Sequence, residues 1–286
     1  MLIVDDSILK AYDKCPMNGY WLHERGVAHS GEAIALVFGR AIHVGLGELF
    51  ETKDVPGACR AFQEVYKVND PKGIRTVAKG TEIIEAWDVQ MGGQPWEHVA
   101  GEMMVKYPLT SGIMYVGNID EFGKMDGVAM VQEWKTSAYP AMFISKPNQQ
   151  ITGYAFLASL HFNTRVDQVL LTIAGLWKTS RGGYRTLKDG GSQSIFRQEQ
   201  ITIEDWEFDK WQRDVREKCL QIERMRDIER MRNVGEDFHP QKTEACGNFG
   251  GCQFLPLCSA APKMREMIIE SSYVPYKWDP ETKGGV

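Results

Sequence analysis

The sequence lacks the features that mark membrane, secreted and low-complexity proteins. No apolar run approaches the roughly 20 residues needed to cross a bilayer, and neither an internal repeat nor a low-complexity segment is present. The first residues, Met1 to Asp6, do not show the basic and then apolar pattern of a secretory signal. We therefore expect a globular protein of the cytoplasm (of the host cytoplasm if the chain is viral) with no membrane partner.

An excess of basic residues is also missing, because the formal net charge at pH 7 is −5. Any site for a polyanion must then be a local basic patch on an acidic body. The basic residues between Arg213 and Arg232 alternate with acids, which is typical of a solvated helix face. A second basic group surrounds Gly182 and Gly183, and its members are Lys178, Arg181, Arg185 and Lys188.

Cysteine is scarce, with six in 286 residues, yet Cys246, Cys252 and Cys258 lie close together in the sequence. A disulfide framework is not expected in a cytosolic chain. Cys15, followed by a proline that favours a turn, is the best candidate for a fourth thiolate at one metal centre. Zinc and a [4Fe–4S] cluster both accept four thiolates. The five-residue gaps favour the iron–sulfur cluster, Zn²⁺ is the alternative, and three incidental thiols would be the simplest interpretation.

Hydrophobic periodicity predicts an α/β protein with a mixed sheet flanked by helices. We divide it into an N-terminal helical part (1–98), a sheet core (99–201) and a C-terminal helix with the cysteine-rich segment (202–286), all in one compact unit. The charged helix is predicted to begin after Thr202 as its N-cap. The remaining predicted helices are Ile34–Phe50, Thr81–Gln90 and Asn148–Phe162, and the predicted strands are Glu102–Pro108, Ile113–Glu121, Val128–Lys135, Val166–Trp177 and Ser194–Ile201.

Two of these strands carry the most informative residues of the chain, Asp120 and the Glu133-Trp134-Lys135 segment. A turn over residues 124–127 would pair the strands and bring Asp120 beside Glu133. Lys135 shares a strand face with Glu133, whereas Trp134 points the other way. Two adjacent carboxylates repel unless a cation lies between them, and their oxygens suit Mg²⁺ or Mn²⁺. On spacing alone, acidic and basic residues two apart on a strand most often form a solvated face, so other residues must decide.

Taken in order along the chain, several segments together resemble the PD-(D/E)xK nuclease superfamily, in particular RecB-like exonucleases with an iron–sulfur cluster. Examples of such exonucleases are the AddB nuclease domain and the CRISPR-associated RecB-like exonucleases. The resemblance spans Ser7 to Cys258. The matching residues are Cys15 in its N-terminal segment, Gly39 and His43 of a G-x3-H helix, Asp120, the Glu133-Trp134-Lys135 motif, Gln150 and Tyr154 of a Q-x3-Y helix, and Cys246, Cys252 and Cys258.

The resemblance implies a restriction-endonuclease-like fold and a Mg²⁺- or Mn²⁺-dependent DNA exonuclease acting on single-stranded or frayed ends. Recombination, repair, and phage or CRISPR-related DNA processing are the implied settings. It implies metal binding by Asp120, Glu133, His43 and the carbonyl of Trp134, and a water-positioning role for Lys135. Gln150 and Tyr154 would contact the scissile phosphate or hold Lys135, and the four cysteines would hold a [4Fe–4S] cluster. Glu102 could be a further acid near the metals, but an exposed strand glutamate is the preferred interpretation.

Two alternatives remain open from the sequence. One is a non-catalytic DNA-binding or assembly factor that retains the nuclease fold. The other is a zinc-stapled structural component of a larger complex. DNA is the expected partner of the exonuclease and also of the non-catalytic DNA-binding factor. A homo-oligomer or a recombination partner protein is compatible with both of these functions.

Overall fold

The structure is a computed structural model that describes residues 1–29, 33–140, 143–176, 187–189, 192–232, 239–247, 251–281 and 284–285. Contacts divide the described chain into two units. The first comprises parts of residues 1–32, 106–117 and 209–286, and the second comprises parts of residues 33–105 and 118–208. This grouping does not test the division at residues 98 and 201, which stays a prediction.

The helices and strands follow the chain in a mixed order. The helices are α1 (Asp6–Lys14), α2 (Pro16–Gly19), a π-helical turn (Tyr20–Glu24), α3 (Ile34–Thr52), α4 (Val55–Val65), α5 (Val77–Met91), α6 (Gln149–His161), α7 (Asp205–Arg232), a 3₁₀ turn (Thr243–Ala245), α8 (Leu255–Ser259) and α9 (Pro262–Ser272). The strands are β1 (Leu2–Val4), β2 (Val27–His29), β3 (Trp96–Thr110), β4 (Ile113–Met125), β5 (Val128–Ser137), β6 (Gln168–Gly175), β7 (Leu187–Asp189), β8 (Ser192–Ser194), β9 (Phe196–Thr202), β10 (Tyr273–Pro275), β11 (Trp278–Asp279) and β12 (Gly284–Gly285).

The second unit is built on a mixed sheet. β5 pairs antiparallel with β4, from Glu121 opposite Gln132 to the turn. On its other side β5 runs parallel to β6, which pairs antiparallel with β9, and β3 pairs with β4. Parallel neighbours need a crossover connection, and α6 lies in the segment that joins β5 to β6. β6 is buried along almost its whole length, as expected of a strand covered on both faces.

Helices cover both faces of this sheet. On one face α3, α4 and α5 form an apolar cluster that includes Trp134 of β5. Gly80 of α5 allows close packing there, because a Cβ at this position would lie 2.0 Å from the Phe62 ring. On the other face, Phe162 at the end of α6 stacks on Phe122 of β4, with ring centroids 3.8 Å apart. The predicted mixed sheet flanked by helices, the restriction-endonuclease-like architecture, is therefore confirmed.

The first unit has its own core. β1 runs parallel to the beginning of β4, with Leu2 opposite Ile113, and β2 pairs antiparallel with β10. Trp21 and Phe254 are fully buried in a second apolar cluster. Cys15 is a buried member of that cluster, and Cys252 and Cys258 pack against it. The described part of the cysteine-rich segment therefore contributes to a folded core.

One predicted helix boundary is wrong. Thr202 does not cap the charged helix, because it pairs with Gln168 at the end of β9 and α7 begins at Asp205. The carboxylate of Glu207 accepts the backbone N–H of Glu204 at 2.9 Å, which is the reciprocal half of a capping box. Hydrogen bonding in the sheet prevents Thr202 from capping the helix.

Two further predictions concern membrane spans and the basic group around Gly182. None of the described helices combines the length and apolar character required for a membrane span. Lys178, Arg181 and Arg185 of the basic group around Gly182 lie outside the described residues, as does the side chain of Lys188.

Candidate functional site

Asp120 and Glu133 lie where β4 and β5 separate. Pairing of the two strands ends at Glu121 and Gln132, so Asp120 and Glu133 are the next cross-strand neighbours and share a face. Their exposed fractions are 2% and 1%. Asp120 Oδ2 accepts the backbone N–H of Trp134 at 2.9 Å, a bond that fixes the carboxylate between the strands. The sequence-predicted meeting of these residues at the hairpin is thus present.

His43 enters the same place from α3. Its Nε2 lies 3.1 Å from the carbonyl oxygen of Trp134, and its Nδ1 lies 3.2 Å from Asp120 Oδ1. When Nε2–H donates to the carbonyl, the Nδ1 of a neutral ring directs a lone pair towards a carboxylate. That contact is repulsive unless a proton or a metal ion lies between the two atoms. Metal-binding histidines commonly donate their other ring N–H to a backbone carbonyl, which is the arrangement found here.

Glu102 joins this group, a role that the sequence interpretation considered but did not prefer. Its Oε1 lies 3.8 Å from His43 Nδ1, and one ligand atom each from Glu102, His43 and Asp120 lies within 4.8 Å of the others. The side chain is 37% exposed, as expected, but it reaches the site because its backbone φ is +46°. The alternation of burial along β3 also shifts by one residue at Ala100 and Gly101, which is typical of a β-bulge. The bulge turns Glu102 towards the two acids.

Lys135 pairs with one carboxylate oxygen of Glu133, whereas the other oxygen accepts no hydrogen bond from the described residues. Lys135 Nζ forms an ion pair with Glu133 Oε1, whereas Glu133 Oε2 is buried and meets no hydrogen-bond donor among the described residues. Burial, and then the charge of Asp120, raise the pKa of Glu133, and the charge of Lys135 lowers it. A buried carboxylate oxygen without a donor is costly to maintain. A divalent cation would satisfy it, and carboxylate oxygens suit Mg²⁺ or Mn²⁺.

Gln150 and Tyr154 lie on one side of α6, one helical turn apart. Asn148 caps this helix by accepting the backbone N–H groups of Gln150 and Ile151. Gln150 Nε2 donates to the Tyr154 hydroxyl at 3.0 Å, so the predicted shared face of the pair is confirmed. α6 packs against β5, the strand that carries Glu133 and Lys135. Their predicted contact with a phosphate stays a prediction.

Glu121 is a buried acid that the sequence analysis missed. It is fully buried, and its Oε1 lies 2.6 Å from His98 Nδ1 and 3.1 Å from Trp96 Nε1. Burial raises the pKa of Glu121 to about 7. As the residue after Asp120 on β4, it faces the opposite side of the sheet. Glu121 therefore belongs to the packing of β3 on β4 and lies outside the group around His43.

The four predicted cluster cysteines occupy one region of the first unit. Cys15 lies between α1 and α2, Cys258 lies in α8, and the backbone N–H of Cys252 donates to the carbonyl of Cys246 at 2.8 Å. Burial, and then the neighbouring thiols of Cys252 and Cys15, raise the pKa of Cys246. Such mutual repulsion disappears when the sulfurs bind metal.

N–H groups already point at two of these sulfurs. The backbone N–H of Lys242 donates to Cys15 Sγ at 3.3 Å, and Asn18 Nδ2 donates to Cys252 Sγ at 3.8 Å. Hydrogen bonds of this kind stabilise thiolates at metal centres. By contrast, Cys59 lies in the apolar core of the second unit and Cys219 is fully buried.

One family model matches most of the chain. The profile of the PD-(D/E)XK nuclease superfamily matches residues 7–259, a range that contains every site residue described above. No curated protein matches the sequence.

Solved structures give a more distant likeness. A presumed exonuclease from Eubacterium rectale is 13% identical over 77% of this chain and 79% of its own, with a TM-score of 0.48. An alkaline exonuclease from Laribacter hongkongensis is 11% identical over 70% of this chain and 97% of its own, with a TM-score of 0.33.

Proposed function

Because the chain belongs to the PD-(D/E)XK nuclease superfamily, we propose that it is a Mg²⁺- or Mn²⁺-dependent DNA exonuclease that hydrolyses phosphodiester bonds at single-stranded or frayed ends. Its settings would be recombination, repair, or phage or CRISPR-related DNA processing. The observation that carries the proposal is the meeting of Asp120, Glu133 and His43 at the open end of the β4–β5 hairpin, with Lys135 on Glu133.

The residues that would hold the divalent ion are Asp120, Glu133 and His43, with Glu102 as a further ligand. The bound ion would make a water molecule more acidic and offset negative charge on the phosphate. His43 is oriented for this role by its contact with the Trp134 carbonyl. In this arrangement the carbonyl orients the histidine ring, whereas the sequence resemblance gave it the role of a direct ligand.

The other side chains supply positioning and charge. Lys135 is held by Glu133, and its ammonium group would donate hydrogen bonds to the attacking water and to the phosphate, where charge accumulates. The side chain of Lys135 is 24% exposed, so a DNA strand bound at the site can contact it. The Gln150–Tyr154 pair on α6 would fix the orientation of the DNA backbone.

We further propose that Cys15, Cys246, Cys252 and Cys258 bind a [4Fe–4S] cluster, with Zn²⁺ as the alternative. A tetrahedral zinc site would bring its sulfurs to about 3.8 Å from one another. In the described part of the chain, however, no three thiols lie within 4.8 Å of one another. A cluster, whose own iron and sulfide atoms lie between the ligands, suits the wider spacing and would fasten residue 15 to the segment 246–258.

Iron analysis and the visible spectrum of anaerobically purified protein test this part. Cys15→Ala should lose iron and the broad absorption near ~400 nm of thiolate-bound iron, and it should also melt at a lower temperature. Cys59→Ala, a thiol in the other unit, should keep both the iron and the spectrum. Zinc in stoichiometric amount in a colourless protein would contradict the cluster.

Digestion of end-labelled single-stranded DNA in Mn²⁺ tests the nuclease proposal. Glu133→Gln and Lys135→Met should each slow product formation by about 100-fold or more. Lys124→Met, at an exposed position on the same hairpin, should retain the wild-type rate. Activity that survives both site substitutions would remove the mechanism. Stoichiometric DNA binding without any product in Mn²⁺ would instead favour the non-catalytic DNA-binding alternative.

A further inference from the structure

An open pocket of about 300 Å³ lies in the first unit, and no residue of the group around His43 lines it. Its wall on β3 comes from Tyr107 and Leu109, which alternate to the same strand face. The opposite wall is one face of α7, with residues at the spacing of successive helical turns. The residues from α7 are Asp209, Gln212, Arg213 and Arg216.

The two arginines of this pocket differ from Lys218 and Arg226 of the same helix. Lys218 pairs with Asp13 at 2.5 Å and Arg226 pairs with Glu24 at 3.2 Å. Arg213 and Arg216 are exposed, and within the described residues neither forms an ion pair or a hydrogen bond. With Asp209 included, the charged side chains of the lining carry a net charge of +1.

Tyr107 adds an aromatic surface beside these guanidinium groups. Its hydroxyl donates to Gln212 Oε1 at 3.3 Å, which holds the half-buried ring against α7. Leu109 supplies apolar contact along the same strand. Guanidinium groups with free donors bind phosphate oxygens, and an adjacent aromatic ring stacks on any nucleobase. Together they offer a site for one phosphate and its neighbouring base.

We propose that this pocket is a second binding site for single-stranded DNA, in which Arg213 and Arg216 bind the phosphate backbone and Tyr107 stacks on an adjoining base. The proposal rests on DNA being the substrate of the proposed nuclease. It does not rest on catalysis by the residues around Asp120.

Fluorescence anisotropy with a labelled single-stranded oligonucleotide tests the site. The measurement is made in EDTA, so that no strand is cut, over a series of NaCl concentrations. The Arg213→Gln/Arg216→Gln double variant should bind at least about 10-fold more weakly. The slope of log K against log salt should become shallower by about 1.4, since each single-strand phosphate contact contributes about 0.7.

The remaining variants separate stacking from charge. Tyr107→Leu should weaken binding about 5-fold or more, because loss of one stacked base costs at least about 1 kcal/mol, and should leave the salt slope unchanged. Arg230→Gln, on the same helix but paired with Asp227, is the matched control and should change neither quantity. Unchanged affinity and slope in the double variant would overturn the proposal. Equally tight binding of inorganic phosphate would also overturn it, by making the pocket a small-anion site.

Hydrolysis of a small diester, bis(p-nitrophenyl) phosphate, distinguishes failure of this proposal from failure of the proposed function. The double variant should retain the wild-type rate in Mn²⁺, because the pocket residues are not part of the group around His43. A large loss of that rate would count against a binding role. If the wild type binds DNA through the pocket yet hydrolyses neither the small diester nor DNA, the nuclease proposal is wrong. The proposal that the pocket binds DNA is then still supported.

Discussion

Replacing Asp120 by asparagine should stabilise the metal-free protein and abolish its stabilisation by metal. The amide oxygen of asparagine can still accept the Trp134 N–H that Asp120 accepts at 2.9 Å. The substitution removes only the negative charge, which faces His43 and raises the pKa of Glu133. The local fold is kept, while one of two adjacent buried charges is lost.

The expected magnitudes follow from this charge pair. One pKa unit corresponds to about 1.4 kcal/mol, so relief of the repulsion on Glu133 should raise the free energy of unfolding by about 1 kcal/mol. For a chain of this size that is an increase in Tm of about 2–4 °C. In the wild type, Mn²⁺ at 100 times its Kd should add about 2.7 kcal/mol. The variant should gain almost none of this.

Thermal unfolding in EDTA and in Mn²⁺ measures both effects. Asp126→Asn is the matched control, because Asp126 is an exposed residue in the turn of the same hairpin with a φ of +51° that asparagine tolerates. It should leave both the EDTA midpoint and the Mn²⁺ shift unchanged. An Asp120→Asn protein that melts lower than the wild type in EDTA, or that keeps the full Mn²⁺ shift, would refute the reasoning.

Two more predictions concern neighbouring features. Glu102→Gln should raise the Mn²⁺ concentration for half-maximal activity by about 10-fold or more, whereas Glu97→Gln, exposed on the same strand, should not; equal metal dependence of the two variants would remove Glu102 from the site. Three backbone N–H groups, those of Arg75, Lys72 and Ile74, donate to Asp70 and hold its pKa below the usual value. The ionised carboxylate therefore stabilises the fold at a pH above its unfolded pKa. This stability is lost as the pH falls through the folded pKa. Asp70→Ala should cost about 2 kcal/mol at pH 7 in urea unfolding and progressively less in acid, and a pH-independent loss would contradict this assignment.

The sequence was informative where a local pattern decided the structure. The turn residues between β4 and β5 and the alternation along both strands are short-range signals, and they were sufficient to bring Asp120 beside Glu133. The spacing of Gln150 and Tyr154 likewise places them on one helix face whatever surrounds the helix.

The features that the sequence analysis missed or ranked second depend on contacts between residues far apart in sequence, or on backbone irregularity. Glu102 reaches the site only because β3 changes phase at Ala100 and Gly101, and a strict two-residue period cannot anticipate a bulge. Glu121 is buried by Trp96 and His98 from β3, so the sequence of its own strand does not predict its burial.

The charged helix α7 shows the same limit. Its alternating charges suggested a uniformly solvated face, yet Lys218 and Arg226 find partners near the N-terminus of the chain. Arg213 is left beside the pocket with Tyr107. Which cations are paired depends on tertiary neighbours, and sequence spacing does not contain that information.

Anomalous diffraction from crystals soaked in Mn²⁺ tests the central claim most directly. A peak is expected within bonding distance of Asp120 and His43 Nδ1, with Glu133 or Glu102 completing its ligands. It should disappear in Asp120→Asn crystals soaked identically. A Mn²⁺ ion bound elsewhere, with these side chains making no contact to it, would contradict the account.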